Sequence, residues 1–171
     1  MRIPYRRLRR RCEAMLQTLG PIPAFSVERI CAHLSELRGR PLHLLPLPDG
    51  ASAAGACGLW LATEEGDYVF FEQQTSRPHQ EHIVLHEIGH MLFDHPTLEL
   101  PGAVVPSARL GDLDLTLVRH LLARTDYTTR QEQEAEMLAS LIRTVAARAE
   151  DPRPSGSSGE WEAALGLSRV R

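Results

Sequence analysis

The stretch Ile83-Val84-Leu85-His86-Glu87-Ile88-Gly89-His90-Met91-Leu92-Phe93 decides how this chain is organised. Its apolar residues fall on all sides of a helix drawn from about Gln80 to Asp94, the pattern of a helix buried in a core. Pro96 stops that helix just after Asp94-His95. Inside it, His86 and His90 are four residues apart and stand one above the other on the same face. Both can offer an imidazole nitrogen to one metal ion. Glu87 sits about 100° around the helix, within reach of a water on that ion but outside the coordination positions. His-Glu-x-x-His on a helix is a zinc-hydrolase pattern: zinc activates a water and polarises a carbonyl while the glutamate takes and returns a proton. Gly89 costs helix stability relative to alanine; its use here is room for another segment to approach.

A catalytic zinc takes three protein ligands and a water, so one ligand lies elsewhere. His82, one turn before His86, reads as a residue that packs or supports a ligand. His95 is five residues past His90, about 140° off its face. The longer pattern H-E-x-x-H-x-x-G-x-x-H needs its last histidine one position later, where Pro96 stands. Glu132 is the stronger candidate. It opens a helix running to about Arg148 whose apolar stripe is Ala135, Leu138, Ala139, Ile142, Val145 and Ala146. Extended backwards, the stripe passes through Glu132, and Glu136 follows one turn later on the same side. Inward carboxylates are costly unless paired or bound to a cation. A metal at Glu132, with Glu136 orienting a liganding histidine, satisfies both. A capping box from Thr129 to Glu132 is the competing use; Thr128 with Gln131 offers a cap that leaves Glu132 free.

With those residues in place, the chain resembles the ImmA/IrrE family of small bacterial metallopeptidases. The resemblance rests on His86-Glu87-Ile88-Gly89-His90 and, some forty residues on, Glu132-Gln133-Glu134-Ala135-Glu136 leading to Ala139-Ser140-Leu141-Ile142. The family pattern is H-E-[IL]-[GS]-H followed by E-x-E-A-N-x-F-A-x-x-L. It implies histidine ligands at His86 and His90, a third ligand at Glu132 and a general base at Glu87. The family's asparagine falls on Glu136 and its phenylalanine on Leu138. Its leucine-leucine-methionine-proline helix end is missing, because Leu141-Ile142 runs into Arg143-Thr144. The resemblance spans roughly Ser26 to Val145.

The rest of the chain fits one such domain. A length of 171 residues suits a single core. Leu8, Cys12, Met15, Leu16 and Leu19 form the stripe of a first helix closed by Gly20-Pro21. Val27, Ile30, Cys31, Leu34 and Leu37 form a second, capped by Ser26 and ending near Gly39. Pro41 to Pro48 is extended, with prolines suited to an edge strand or strand ends. Leu59 to Thr63 and Asp67 to Glu72 pair as a hairpin across Glu64-Glu65-Gly66. Thr97 to Gly111 reads as loop and Asp112 to Arg124 as helix. The expected class is α+β: a mostly helical domain over residues 1–149, with a small antiparallel sheet packed beside the H-E-x-x-H helix. Residues 1–24 form its basic N-terminal helix and 25–149 its core, while 150–171 are a flexible tail in which Trp161 and Leu165 are the anchoring residues.

Three cysteines, Cys12, Cys31 and Cys57, lack C-x-x-C spacing and suit reduced thiols in a cytoplasm. No apolar run approaches a membrane span, and polar residues interrupt any signal-peptide core behind the first arginines. Residues 1 to 11 hold six arginines and no acid, whereas the whole chain is at −3, so the remainder carries −9. Such a basic arm is a solvated helix face or a contact for nucleic acid or an acidic partner; no helix-turn-helix, zinc-finger or RNA-binding signature supports DNA recognition by the chain itself. Transition-state charge calls for a donor besides zinc, and Tyr127 and His120 are candidates.

Two functions follow. One is a site-specific, gluzincin-like zinc endopeptidase; the resemblance implies that its substrate is a partner protein, commonly a helix-turn-helix repressor encoded nearby. The other is a regulatory or toxin-antitoxin-type protein-binding module with a zinc site and little peptidase activity. Glu87 favours the first, because a structural zinc needs no general base and takes a fourth protein ligand. A different zinc hydrolase, such as a deacylase, ranks third.

Overall fold

A computed structural model of the chain describes residues 4–23, 26–51, 55, 57–63, 66–95 and 127–150. The predicted loop 97–111, the helix 112–124, His120 and the tail 150–171 lie outside these residues, apart from the end of the last helix. Seven elements follow in order: α1 Tyr5–Thr18, α2 Val27–Arg38, β1 Leu42–Pro46, β2 Gly58–Ala62, β3 Asp67–Phe71, α3 Arg77–Leu92 and α4 Thr129–Glu150. The fold is α+β, as the hydrophobic periodicity implies.

Local chemistry sets the helix ends. Ser26 accepts from the Arg29 amide to open α2, and Gly39, left-handed at φ 64°, closes it. At α4 the Thr128 hydroxyl accepts from the Gln131 amide and the Gln131 side chain accepts from the Thr128 amide at 2.8 Å. This reciprocal capping box leaves the Glu132 carboxylate out of the cap.

β2 and β3 pair antiparallel, Trp60 opposite Val69, as the hairpin reading requires. The sheet as a whole is mixed, a correction to the antiparallel expectation: β1 runs parallel to β3, Leu44 opposite Val69, in the order β1-β3-β2. The chain leaves β1 near the end of β3, crosses to start β2, and the hairpin brings β3 back between the two. Leu47 N–H donating to Phe71 and Glu72 N–H donating to Cys57 stitch that end of the sheet. β1, with Pro41 before it and Pro46 at its end, is an edge strand. Buried Asp67 ties layers together: it accepts from the Trp60 indole at 3.2 Å and pairs with Arg38 at 3.2 Å and Arg40 at 3.0 Å.

α3 lies between the sheet and α4, touching β2 and β3 on one side and α4 on the other. That position explains its apolar circumference: Ile83, Val84, Leu85, Ile88 and Met91 are all buried. Gly89 is the point of closest approach, since a Cβ there would lie 2.8 Å from both Cα and O of Ala135 on α4. α1 packs on the far side of α4 and gives Leu8 and Cys12 to the same core as α2 and α3. No helix among the described residues is long and apolar enough to cross a membrane.

Candidate metal centre

The close packing of α3 on α4 brings three predicted ligands together. Nε2 of His86 and Nε2 of His90 are 3.1 Å apart. Glu132 reaches across from α4, with Oε2 3.3 Å from His86 Nε2 and Oε1 3.5 Å from His90 Nε2. His86, His90 and Glu132 are the one group of three such side chains among the described residues able to hold a metal ion together. Ligands about 2.0–2.1 Å from a tetrahedral zinc stand about 3.3–3.4 Å from one another, so the observed spacings fit that ion. The donor set, two imidazoles and a carboxylate, fits as well.

The electrostatics prepare the donors. Burial, together with the charges that His86 and His90's other neighbour His95 would carry, pushes the His90 imidazole down to about 3, which keeps it neutral. Glu87 is 7% exposed. Burial and the charge of Glu132 raise its carboxyl to about 8, against the backbone N–H of Trp60, which donates to it and lowers it. A cation on the neighbouring triad would stabilise the carboxylate form.

β2 shapes the space around Glu87. A Cβ on Gly58 would lie 2.6 Å from Oε1 of Glu87 and 2.7 Å from Cγ2 of Ile83; glycine clears room for that carboxyl group. Because Glu72 donates to Cys57 and Thr63 to Gly66, the odd-numbered residues of β2 bond to β3. Gly58, Trp60 and Ala62 therefore turn their backbone groups to the other edge, where the Trp60 N–H meets Glu87.

The predicted supporting residues fall as follows. Glu136 Oε2 lies 3.5 Å from Nδ1 of His86 and 3.0 Å from Nε2 of His82. Thus His82 sits beside the carboxylate that faces a candidate ligand. The Tyr127 ring stacks on His90, centroids 3.7 Å apart. Its hydroxyl is buried without a hydrogen-bond partner among the described residues; burial and the charges of Glu87 and Glu132 push its pKa up.

His95 is behind His90, outside the triad. Its Nδ1 is 3.0 Å from Nδ1 of His90 and its Nε2 3.1 Å from Oε2 of Glu134. Glu134 is 2% exposed and also meets Arg11 at 3.1 Å and Arg130 at 3.0 Å. Burial pushes the Glu134 carboxyl up, but hydrogen bonds from Arg130 and His95 and the charge of Arg11 win and hold it below the ordinary value. For His95, burial outweighs the pull of Glu134 and lowers the imidazole. Sequence reasoning did not single out Glu134, and it weighed His95 only as a ligand. No family model matches the chain, and neither a curated protein nor a solved structure matches it.

Proposed function

We propose that this chain is a zinc-dependent endopeptidase that cuts a partner protein at one or a few sites. The observation that carries it is Glu87: a buried carboxylate beside the triad, given space by Gly58 and an amide donor by Trp60. A structural zinc needs four protein ligands and no base; three donors with a carboxylate alongside suit hydrolysis. His86, His90 and Glu132 would hold the ion, which when bound polarises the scissile carbonyl and activates water. Glu87 accepts the proton of the attacking water and returns it to the leaving nitrogen. The Tyr127 hydroxyl, which has no hydrogen-bond partner among the described residues, donates to the carbonyl oxygen as charge develops there.

The resemblance to ImmA/IrrE peptidases supplies the substrate class, a helix-turn-helix repressor whose removal switches transcription. Three free thiols, Cys12, Cys31 and Cys57, fit a reducing compartment, the cytoplasm.

The test incubates purified protein with the regulator encoded by the neighbouring reading frame and seeks fragments by mass spectrometry. Glu132→Ala is expected to lose zinc by elemental analysis. Glu87→Gln is expected to keep zinc and partner but to slow cutting by about 10²–10⁴-fold. A partner that binds tightly and is never cut, with Glu87→Gln equal to wild type in cells, overturns the peptidase in favour of the binding module.

A further inference from the structure

We propose that Glu134 and His95 form a buried positioning relay that fixes the tautomer of His90, leaving its Nε2 lone pair free to bind. The use of that lone pair rests on the zinc reading above; the proton order does not.

A neutral imidazole carries one proton, and its position decides which nitrogen can bind a metal. His90 faces His86 and Glu132 with Nε2, so a ligand role requires the proton on Nδ1. That nitrogen meets Nδ1 of His95 at 3.0 Å, where one ring must donate and the other accept. If His90 donates, a neutral His95 accepts on Nδ1 and carries its own proton on Nε2. There it donates to Glu134 Oε2 at 3.1 Å. The opposite assignment for neutral rings puts the bare His95 Nε2 against a carboxylate, lone pair to lone pair. Glu134 therefore sets the proton order of both rings. Its second oxygen, Oε1, is occupied by Arg11 from α1 and Arg130 from α4, which keeps the carboxylate an acceptor and holds it in one orientation.

The backbone is arranged to deliver His95. Asp94, at φ 50°, is the one non-glycine residue with positive φ among those described, a conformation L-residues rarely adopt outside turns and helix ends. It lets the His95 amide donate back to the His90 carbonyl at 3.0 Å, the helix-ending turn in which a left-handed residue reverses the chain. His95 is thereby folded under the last turn of α3, 5% exposed. Phe93 stacks on its ring with centroids 5.6 Å apart, and Tyr127 stacks on His90, so neither imidazole is free to rotate. The other ligand has a looser support: Glu136 is half-exposed and 3.5 Å from His86 Nδ1.

The experiment uses the full chain with ¹⁵N-labelled histidine. Long-range ¹⁵N–¹H spectra of wild type, metal-free and zinc-loaded, are expected to show His90 protonated on Nδ1 and His95 on Nε2. Competition with a chelating dye is expected to show zinc bound 10–100-fold more weakly by Glu134→Gln and by His95→Ala. His95→Gln, which can accept and donate in the same directions, is expected to recover part of that loss. His95 protonated on Nδ1 in wild type overturns the relay, and that measurement needs no variant to fold. So does a Glu134→Gln protein that melts earlier without metal yet binds zinc as tightly as wild type, the mark of a merely structural pair. A wild type that takes no zinc while its histidines carry the assigned protons overturns the zinc reading and supports the relay.

Discussion

Gly58 and Gly89 both stand where a side chain would collide, yet with different kinds of neighbour. A Cβ on Gly89 would meet the backbone of Ala135, Cα and O both at 2.8 Å, and backbone in the middle of α4 cannot step aside. Alanine is the better helix former by about 0.8–1 kcal/mol, but forcing two packed helices apart costs about 1–3 kcal/mol. Gly89→Ala is therefore expected to lower the urea midpoint and to weaken zinc binding, because it moves Glu132 away from His86 and His90. A Cβ on Gly58 would instead meet side chains, Oε1 and Cγ of Glu87 and Cγ2 of the β-branched Ile83, both buried. Gly58→Ala is expected to cost less stability than Gly89→Ala, since side chains shift more readily than helix backbone, to keep zinc, and to slow cutting at least tenfold by displacing Glu87. Equal stability losses in the two variants would show that Gly58, too, is a packing glycine. The spacing of His86, His90 and Glu132 made their grouping legible, with Glu87 beside it, because period and chemistry coincide there. Gly58 carried no such mark: its neighbour Glu87 is distant in sequence, and a glycine before a strand reads as a turn.

Among the elements, α1 departs most from its sequence reading. Six arginines in eleven residues read as a solvated or interacting arm. The helix buries Leu8 and Cys12, as its apolar stripe implies, but Arg11 reaches the buried Glu134 while lying over the Phe93 ring, 5.2 Å from its centroid. Arg11 is exposed like Arg6, Arg7, Arg9 and Arg10, and what separates it from them is its buried partner; Arg9 pairs only with the exposed Glu13. Arg11→Gln is expected to cost about 1–2 kcal/mol in urea unfolding, a charged hydrogen bond lost while Arg130 remains on Glu134. The other four changed to glutamine should stay within about 0.5 kcal/mol. A similar cost for both sets would return Arg11 to the solvated face. The same contact explains why Glu134 escaped notice. It lies two residues from Glu132, off the stripe that faces α3, and its burial depends on a helix more than a hundred residues away in sequence. Caps at Ser26, Gly39 and Thr128 were legible because their chemistry is local. The parallel pairing of β1 with β3 was not, since nothing between Leu42 and Asp67 marks strand direction.

For the whole molecule, the three thiols report whether α1 and α2 belong to one cooperative unit. Cys57 is exposed just ahead of β2, whereas Cys12 and Cys31 are buried in the shared core. Burial raises Cys12 to about 11, the nearby charge of Glu134 adding to it, and raises Cys31 to about 12. An alkylating reagent near neutral pH is expected to modify Cys57 quickly. It should reach Cys12 and Cys31 only through unfolding, at one common rate if the domain opens as a unit. The same burial gives stability a pH dependence. Above the ordinary thiol value near 9, the unfolded chain loses protons that the folded chain keeps. The thiol contribution is therefore complete below about pH 9 and is lost as the pH rises through about 11 and 12. Urea midpoints measured from pH 8 to pH 11 should fall, and Cys31→Ala should flatten that slope whatever it does to stability itself. Modification of Cys12 well ahead of Cys31 at neutral pH would mean that α1 detaches by itself. Glu134 would then lose Arg11 before the rest of the core opens, and the carboxylate that orders His95 and His90 would be the first part of the centre to loosen.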